Sequence, residues 1–548
     1  MAHALAGKPV QEQDIIDVQT IVDAYFDNVP DMTNPTQLVS FGTSGHRGTS
    51  VDGTFTDLHV AAITQAICDG RKQFGATGPI FVGQDTHALS QPALVTVLEV
   101  LAGNGVTAMV DCDMAFVPTP SVSRAIIRYN EEHDDKADGI IITPSHNPPD
   151  NGGIKYNTII GGPADTVVTK WIEMRANEYL TAYCESEDFK RISIDNIEPT
   201  AQVPYDYKGL YVEELGDVIN MEAIKAAGPK VLVDTLGGSG ASYWNAIKER
   251  YGLDLTIIHD DYDPTFSFMT YDHDGKVRMD CSSPHVMASV INRIGDFDLA
   301  VGNDPDYDRY GIVVASGLIS ANTFLMLAAR YLFTTRGWKD KGVGKTVVCT
   351  TMIDKWAASA EIPVFEVPVG FKYFSQLLFD GTIGIGGEES AGASFLKKDG
   401  RVWTTDKDGM IMALLGMEIM AVMGKSALKI AGESVEKFGN PKFGRIDAPC
   451  KKEQKQILKQ MSAELITATS VDGDPITNIR TTSLYNDMPI DGVRVETDKG
   501  WFVARPSGTE DLYKIYGESY KGNLGLVALL TAGEEIVNAA LNGTIETE

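Results

Sequence analysis

The feature that most limits what this chain can fold into is a recurring alternation: short, continuous, β-branched apolar runs, most of them followed by an amphipathic stretch. GPIFVGQD (78–85) precedes a helical pattern from Gln91, and VTAMVD (106–111) precedes another from Ser121. GIIIT (139–143), KVLVD (230–234), LTIIHD (255–260), DLAVGND (298–304), GIVVAS (311–316), KTVVCT (345–350), VFEVPV (364–369) and TIGIGG (382–387) continue the pattern. Runs without polar alternation suit strands buried on both faces. Helical stretches such as 323–334 and 408–423 lie between them, and strand–helix alternation predicts parallel α/β sheets.

The texture breaks in three places. PTAQVPYDY (199–207) reads as a linker, a second break falls at 315–323, and a third at FGNPK (438–442). Beyond it, a helical run over 451–468 and short strands near Val493–Val495 and Trp501–Ala504 predict an α+β tail. With 548 residues, three or four domains are expected, and the breaks place them at 1–205, 206–318, 319–440 and 441–548.

Charge excludes some functions. Lys and Arg number 47 against 75 Asp and Glu, a net charge of −28, which repels nucleic acid and anionic membranes. It also repels phosphorylated ligands, so any phosphate site has to be a local basic island. Six cysteines (Cys68, Cys112, Cys184, Cys281, Cys349, Cys450) show no CxxC or zinc spacing and read as reduced thiols. MAHALAGKPVQEQD has no apolar signal core, and no uncharged apolar stretch of about 18 residues follows it, so no membrane partner and a cytoplasmic location are expected.

Four segments carry chemistry. Thr143-Pro144-Ser145-His146-Asn147-Pro148-Pro149-Asp150 follows the run Gly139–Ile142, and a loop at the carboxyl end of a parallel strand is where α/β proteins bind ligands. Pro144 and Pro148 bracket Ser145 and stiffen the turn that presents its hydroxyl, while His146 and Lys155 could stabilise a phosphate on it. Asp304-Pro305-Asp306-Tyr307-Asp308-Arg309 sets three carboxylates at alternate positions, able to converge on one hard cation. An all-oxygen set favours magnesium over zinc, and an EF-hand is excluded by Arg309 and Ala315 at its glycine and glutamate positions.

Gly387-Glu388-Glu389-Ser390-Ala391-Gly392 offers groups that hydrogen-bond sugar hydroxyls; Glu389 stands where a dinucleotide fingerprint needs glycine. Arg505-Pro506-Ser507-Gly508-Thr509-Glu510 combines an arginine, hydroxyls and free amides, the makings of an anion nest. Phe41-Gly42-Thr43-Ser44-Gly45-His46-Arg47-Gly48 is a hydroxyl-rich loop with one arginine, and Asp406-Lys407-Asp408-Gly409 sets a lysine between acids at a helix start. GVGKT (342–346) imitates a phosphate-binding P-loop, but Lys339 occupies a required glycine position.

In this order, TPSHNP (143–148), DPDYDR (304–309), GEESAG (387–392) and RPSGTE (505–510), with FGTSGHRG (41–48) ahead of them, resemble the α-D-phosphohexomutase superfamily, and its bacterial phosphoglucomutase branch above all. The resemblance spans essentially the whole chain. It implies three similar mixed α/β domains and a smaller C-terminal α+β domain around a central active-site cleft, carrying in turn a phosphoserine loop, a metal loop, a sugar loop and a phosphate loop. It implies that Ser145 is phosphorylated, and that Asp304, Asp306 and Asp308 hold Mg2+ together with an oxygen of phosphorylated Ser145. Glu388 and Ser390 would grip sugar hydroxyls, and Arg505, Ser507, Gly508 and Thr509 the phosphate that does not react. Arg47, His146, Lys155 and Arg309 would surround the reacting phosphoryl group, with Lys407 as candidate acid/base.

The implied activity interconverts glucose 1-phosphate and glucose 6-phosphate through glucose 1,6-bisphosphate, by a monomer or homodimer whose partners are small sugar phosphates. Gly392 stands where members that accept mannose phosphates carry histidine, which favours the glucose branch; His87 stands where many relatives carry arginine. Three other readings share this residue set in whole or part, the first a phosphohexomutase with another preferred sugar. A serine-dependent metal phosphatase would use Ser145 and the carboxylates without the RPSGTE nest, and a non-catalytic sugar-phosphate binder would need neither Ser145 nor the aspartates.

Overall fold

The computed structural model describes residues 3–42, 45–183, 189–424, 427–506 and 512–545. They form two compact units. The first holds the described residues up to Ala321 with Phe374–Gly381 and Ser390–Ala427, and the second holds Asn322–Tyr373, Thr382–Glu389 and the described residues from Leu428 onward.

The first unit contains two mixed sheets of similar plan. One is built from β1 (His46–Thr49), β2 (Ile80–Gln84), β3 (Ala108–Asp111), β4 (Asp138–Ile142), β5 (Asn151–Asn157) and β6 (Gln202–Tyr205), in the order β1-β5-β4-β2-β3-β6. β4, β2, β3 and β6 run parallel, and β5 returns antiparallel to β4. Ile80, Val82, Ile140 and Ile142 point to one face, into a core shared with helices Asp57–Gly70, Ser90–Gly103 and Thr166–Tyr183. Phe81 and Ile141 point to the other, against Val122 and Ile126 of helix Thr119–Glu132. Burial on both faces is why these runs lack polar alternation.

The second sheet contains β7 (Val231–Asp234), β8 (Leu255–Ile258), β9 (Leu299–Asn303), β10 (Tyr310–Val314) and β11 (Gly317–Leu318), ordered β11-β10-β9-β7-β8. Helix Gly409–Met423 packs against β9 and β10. The N-terminal segment is strapped onto this part of the chain: Gly7 and Val10 donate their N–H groups to Tyr271 O and Met269 O, and Tyr271 donates to Lys8 O.

Two expectations change, and one strand was not expected. GIVVAS does not become a parallel strand; β10 is antiparallel to β9, because the loop 304–309 is too short for the crossover a parallel pair requires. The segment Asn151–Asn157 gives no apolar run, yet it forms β5, held by pairing with a strand on each side. The stretch 199–207 contains β6, which extends the first sheet beside β3.

In the second unit β12 (Gly342–Thr346) pairs in parallel with β13 (Val364–Val367) and β14 (Ile383–Gly387). The C-terminal part is an antiparallel sheet of Lys442–Pro449, Leu512–Ser519, Gly500–Pro506, Pro489–Thr497, Asp474–Thr482 and Ser470–Val471, in that spatial order, so the α+β expectation for the tail holds. The helix expected over 451–468 is shorter, Lys452–Lys459, followed by a 3-10 turn at Ala463–Leu465. Glu366 of β13 is buried and receives the two terminal Arg480 nitrogens at 2.5 and 3.0 Å, fastening the antiparallel sheet to the parallel one. Helix Gly522–Ile545 has, over Gly522–Asn542, the length and apolarity of a membrane span, but it adds Leu529, Leu530, Val537 and Leu541 to the core of the antiparallel sheet.

Candidate active site

Loop 143–150 turns the chain from β4 into β5. Its central residue, Ser145, has φ 62°, a left-handed conformation that is strained for anything but glycine. The Ser145 N–H donates to Thr143 Oγ1 at 2.8 Å, which fixes the turn from within. The side chain is buried, and its hydroxyl donates to Asp304 Oδ2 at 2.9 Å, with His146 Nδ1 3.2 Å away.

Loop 304–309 repeats the design between β9 and β10. Tyr307 has φ 63°, and its ring packs into a slot cut by Gly238 and Gly240; a Cβ on Gly240 would stand 2.4 Å from the ring. With Tyr307 anchored on the inside, its neighbours converge: carboxylate oxygens of Asp304, Asp306 and Asp308 lie within 4.8 Å of one another, all buried. The turn is closed by Tyr307 N–H on Asp304 O and Arg309 N–H on Asp304 Oδ1, each 2.9 Å.

Cations surround the acids. Lys155 on β5 places Nζ 2.6 Å from Asp306 Oδ2 and 3.3 Å from Asp308 Oδ2, and Lys407 Nζ lies 3.0 Å from Asp308 Oδ2. Arg309 reaches Asp280 at 3.3 Å, and Arg47 on β1 donates to Asn147 Oδ1 at 3.3 Å. Burial, together with repulsion from Asp306 and Asp308, pushes the Asp304 carboxyl well above the usual range. Burial also opposes ionisation of Asp308, but Lys407, Lys155 and Arg309 overrule it and hold that carboxyl far below its usual value. Burial, helped by the Arg309 and Arg47 charges, keeps His146 neutral. Lys155 goes the other way: burial disfavours its charge, but Asp306 and Asp308 hold the proton on.

Two acceptor atoms stand out. Asp306 Oδ1 and Asp308 Oδ1 are buried and have no hydrogen-bond partner among the described residues. Buried oxygens of this kind are costly unless something positive meets them. An oxygen-only set with spare lone pairs, three mutually repelling carboxylates and a serine hydroxyl at its edge fits a hard divalent cation.

The backbone on either side of Lys407 is anchored by the acids beside it. Asp406 accepts from Asn157 Nδ2 at 2.9 Å and from the Lys407 N–H at 2.8 Å. Asp408 caps helix Gly409–Met423 through the Ile411 N–H and also receives Tyr211 Oη and Trp403 Nε1, both at 2.8 Å; its carboxyl is pushed up to about 6, chiefly by burial. A Cβ on Gly409 would lie 2.0 Å from Arg309 O, so glycine is what lets this segment touch the aspartate loop.

Four domain families match along the chain: phosphoglucomutase/phosphomannomutase alpha/beta/alpha domain I over residues 38–182, domain II over 210–317, domain III over 320–438, and the C-terminal domain over 447–523. The chain belongs to the phosphoglucomutase/phosphomannomutase family. A phosphoglucomutase of Komagataeibacter xylinus is 46% identical over 539 residues, covering 97% of each chain, and phosphoglucomutase 1 of Saccharomyces cerevisiae is 26% identical over 528 residues, covering 88% of each. The fold is also that of pp63/parafusin from Paramecium, with TM-score 0.72 and 20% identity over 94% of this chain and 96% of that one. A phosphoglucomutase/phosphomannomutase family protein from Burkholderia thailandensis gives 0.69 and 20%, over 92% and 98%. As a family member the chain is an enzyme, a phosphotransferase of the isomerase class, and it carries an acidic site able to hold a metal.

The first unit therefore brings together Ser145, His146, Lys155, Arg47, Arg309, Lys407 and the three aspartates. Ser390, half-buried, belongs to the same unit. Glu388 and Arg505 belong to the second: Glu388 is buried, its neighbour Glu389 accepts from Thr346 Oγ1 at 3.3 Å, and Arg505 Nε donates to Ile490 O at 2.8 Å. Ser507, Gly508 and Thr509 lie outside the described residues, as do Thr43 and Ser44.

Several participants gave no sequence signal. Thr119 donates Oγ1 to Asp306 Oδ2 at 2.9 Å from 187 residues away, and Asp280 pairs with Arg309 from a loop without a motif. The one available hint was Asp85, in the GQDT segment directly after a buried strand.

Proposed function

We propose that the enzyme interconverts glucose 1-phosphate and glucose 6-phosphate through a phosphoserine at Ser145, with glucose 1,6-bisphosphate as intermediate and activator. The observation that carries this is the hydrogen bond from the Ser145 hydroxyl to Asp304, inside a cluster of three buried carboxylates and four cationic side chains.

Asp304, Asp306 and Asp308, with an oxygen of phosphorylated Ser145, would hold Mg2+, which when bound supplies charge neutralisation at the phosphoryl oxygens. Arg47, Lys155 and Arg309 offset the remaining negative charge and orient the group for in-line transfer. The left-handed turn presents the Ser145 oxygen at one angle, so positioning is built in before the sugar arrives. Lys407, whose ammonium pairs with Asp308 at 3.0 Å, is the candidate acid/base group at the sugar oxygen: it can give a proton to that oxygen as phosphate returns to the serine and take it back in the reverse step. His146, kept neutral, can accept or donate at the serine oxygen.

Glu388 and Ser390 would grip the sugar hydroxyls, and Arg505, Ser507, Gly508 and Thr509 the idle phosphate. The cycle requires a grip that serves both orientations of the bisphosphate. The four domains would lie at 1–205, 206–318, 319–440 and 441–548, and a cytoplasmic location fits a substrate of this kind.

The test is a coupled assay with glucose 1-phosphate, Mg2+ and a trace of glucose 1,6-bisphosphate. Formation of glucose 6-phosphate, with a phosphate adduct on Ser145 by mass spectrometry, is expected. Release of inorganic phosphate without glucose 6-phosphate would replace this reading with a serine-dependent phosphatase.

A further inference from the structure

His87 lies outside every motif above, yet it is fully buried next to the serine loop. Its Nε2 lies 3.0 Å from Asn147 O, and its Nδ1 lies 2.8 Å from Asp85 Oδ2. A carbonyl oxygen only accepts, so Nε2 carries a proton. Asp85 is saturated with donors: Thr143 Oγ1 at 2.5 Å, Ser90 Oγ at 2.6 Å and the His87 N–H at 3.0 Å. A carboxyl receiving that many protons is ionised, so Nδ1 also carries one. This bonding makes the ring an imidazolium, and it sits against Phe266 with centroids 5.1 Å apart and planes tilted by 50°. The electrostatic balance agrees in direction: burial opposes the charge, and Asp85 restores it and raises the histidine's pKa.

These bonds bracket Ser145. Asn147, two residues after it, is held directly by His87. Thr143, two residues before it, donates a hydrogen bond from its hydroxyl to Asp85 and accepts the Ser145 N–H, so the chain of bonds runs His87–Asp85–Thr143–Ser145. The residue between the two anchors is the one at φ 62°.

We propose that His87, as a doubly protonated buried cation, is the positioning residue that holds both flanks of the left-handed turn and so fixes the angle of the Ser145 oxygen. The inference rests on Ser145 being the phosphate carrier. A residue in this role changes the rate of transfer and leaves sugar-phosphate binding nearly untouched. Arginine, the other side chain that presents several N–H donors on a permanent cation, should substitute for it; glutamine, neutral, should not.

Two measurements decide it. In the full-length wild-type enzyme, nitrogen-15 histidine spectra at pH 8 should show His87 with protons on both ring nitrogens; a neutral tautomer overturns the proposal without recourse to a variant. Steady-state kinetics should then show His87→Gln losing about 10- to 100-fold in kcat, the scale at which ligand-orienting partners act, with KM changed by less than about threefold. His87→Arg should recover most of that loss. Wild-type kcat in His87→Gln, or a loss that falls on KM, or no recovery in His87→Arg, overturns the clamp. Should the wild-type enzyme form no glucose 6-phosphate at all, the reading of Ser145 fails instead, and the spectra still decide the charge on His87.

Discussion

Loops 143–150 and 304–309 share one architecture with opposite uses of its strained residue. Each takes the chain from a parallel strand into an antiparallel neighbour, and each contains a non-glycine residue near φ +60°: Ser145 at 62° and Tyr307 at 63°. Ala391, in the GEESAG segment, has φ 65°, so the third motif loop repeats the conformation. At Ser145 the strained residue presents its own hydroxyl, the proposed phosphate carrier, to the acids. At Tyr307 the strained residue is turned away into the Gly238–Gly240 slot, and the residues on either side of it become the candidate ligands. The lesson is that a tight left-handed corner can aim either its apex or its shoulders, depending on whether the core offers the apex side chain a socket.

The sharpest way to break this comparison is to remove the apex atom. With Ser145 as the proposed phosphate carrier, Ser145→Ala should lower kcat by about 10³-fold or more, since the nearby Thr143 hydroxyl is already committed to Asp85. A variant with more than a tenth of native turnover would show that the apex does no chemistry. At the other loop the candidate metal ligands sit on the shoulders. Asp306→Asn keeps the shape but removes a charge and should lower kcat by about 10²-fold, with a weaker affinity for Mg2+. EDTA should inactivate the native enzyme, and added Mg2+ should restore it; full activity after exhaustive chelation would remove the metal from the argument.

Which parts of this contrast were legible in the sequence follows from how each part is encoded. β4 and β9 are buried on both faces, so they appear as unbroken apolar runs, and the loops after them could be read as sites. β5 could not be recognised: Asn151–Asn157 holds its place through pairing on both sides and through glycines, a Cβ on Gly152 meeting the Phe55 ring at 2.4 Å and one on Gly153 meeting Thr143 O at 2.3 Å. Spacing announced the aspartates, because three acids at alternate positions have few other uses. No local pattern announced Thr119 or Asp280, and His87 stood out only as a departure from the arginine of its relatives, since each reaches the loops only through tertiary contacts. The acids flanking Lys407 suggested a helix cap, which Asp408 is; the anchoring of Asp406 by Asn157, 249 residues away, has no trace in the sequence.

A third test addresses the socket. Tyr307→Ala should destabilise the first unit by about 3–5 kcal/mol, the usual cost of emptying a buried aromatic site. It should also weaken Mg2+ binding, because Asp306 and Asp308 lose the anchor between them. Gly240→Ala fills the same socket from the other wall, and overpacking of this kind costs about 1–3 kcal/mol. If either variant binds Mg2+ with native affinity while losing stability, the tyrosine is ordinary core and does not aim its neighbours.

The smallest effect isolates the backbone strain at the apex. Ser145→Ala and Ser145→Gly both delete the hydroxyl and its bond to Asp304, so their difference reports the cost of holding a side chain at φ 62°. Glycine enters the left-handed region without a Cβ clash, whereas alanine bears a penalty of roughly 1 kcal/mol, reduced in part because glycine gains more freedom on unfolding. Ser145→Gly should therefore have the higher denaturation midpoint, by an amount corresponding to about 0.5–1 kcal/mol. Both should be equally inactive, which separates the stability of the turn from its chemistry. Equal midpoints would mean that the loop relaxes once the hydroxyl is gone, so that the Ser145–Asp304 bond, and not the anchors at Thr143 and Asn147, maintains the corner; a lower midpoint for glycine would mean that a Cβ at this position packs favourably enough to offset its conformation.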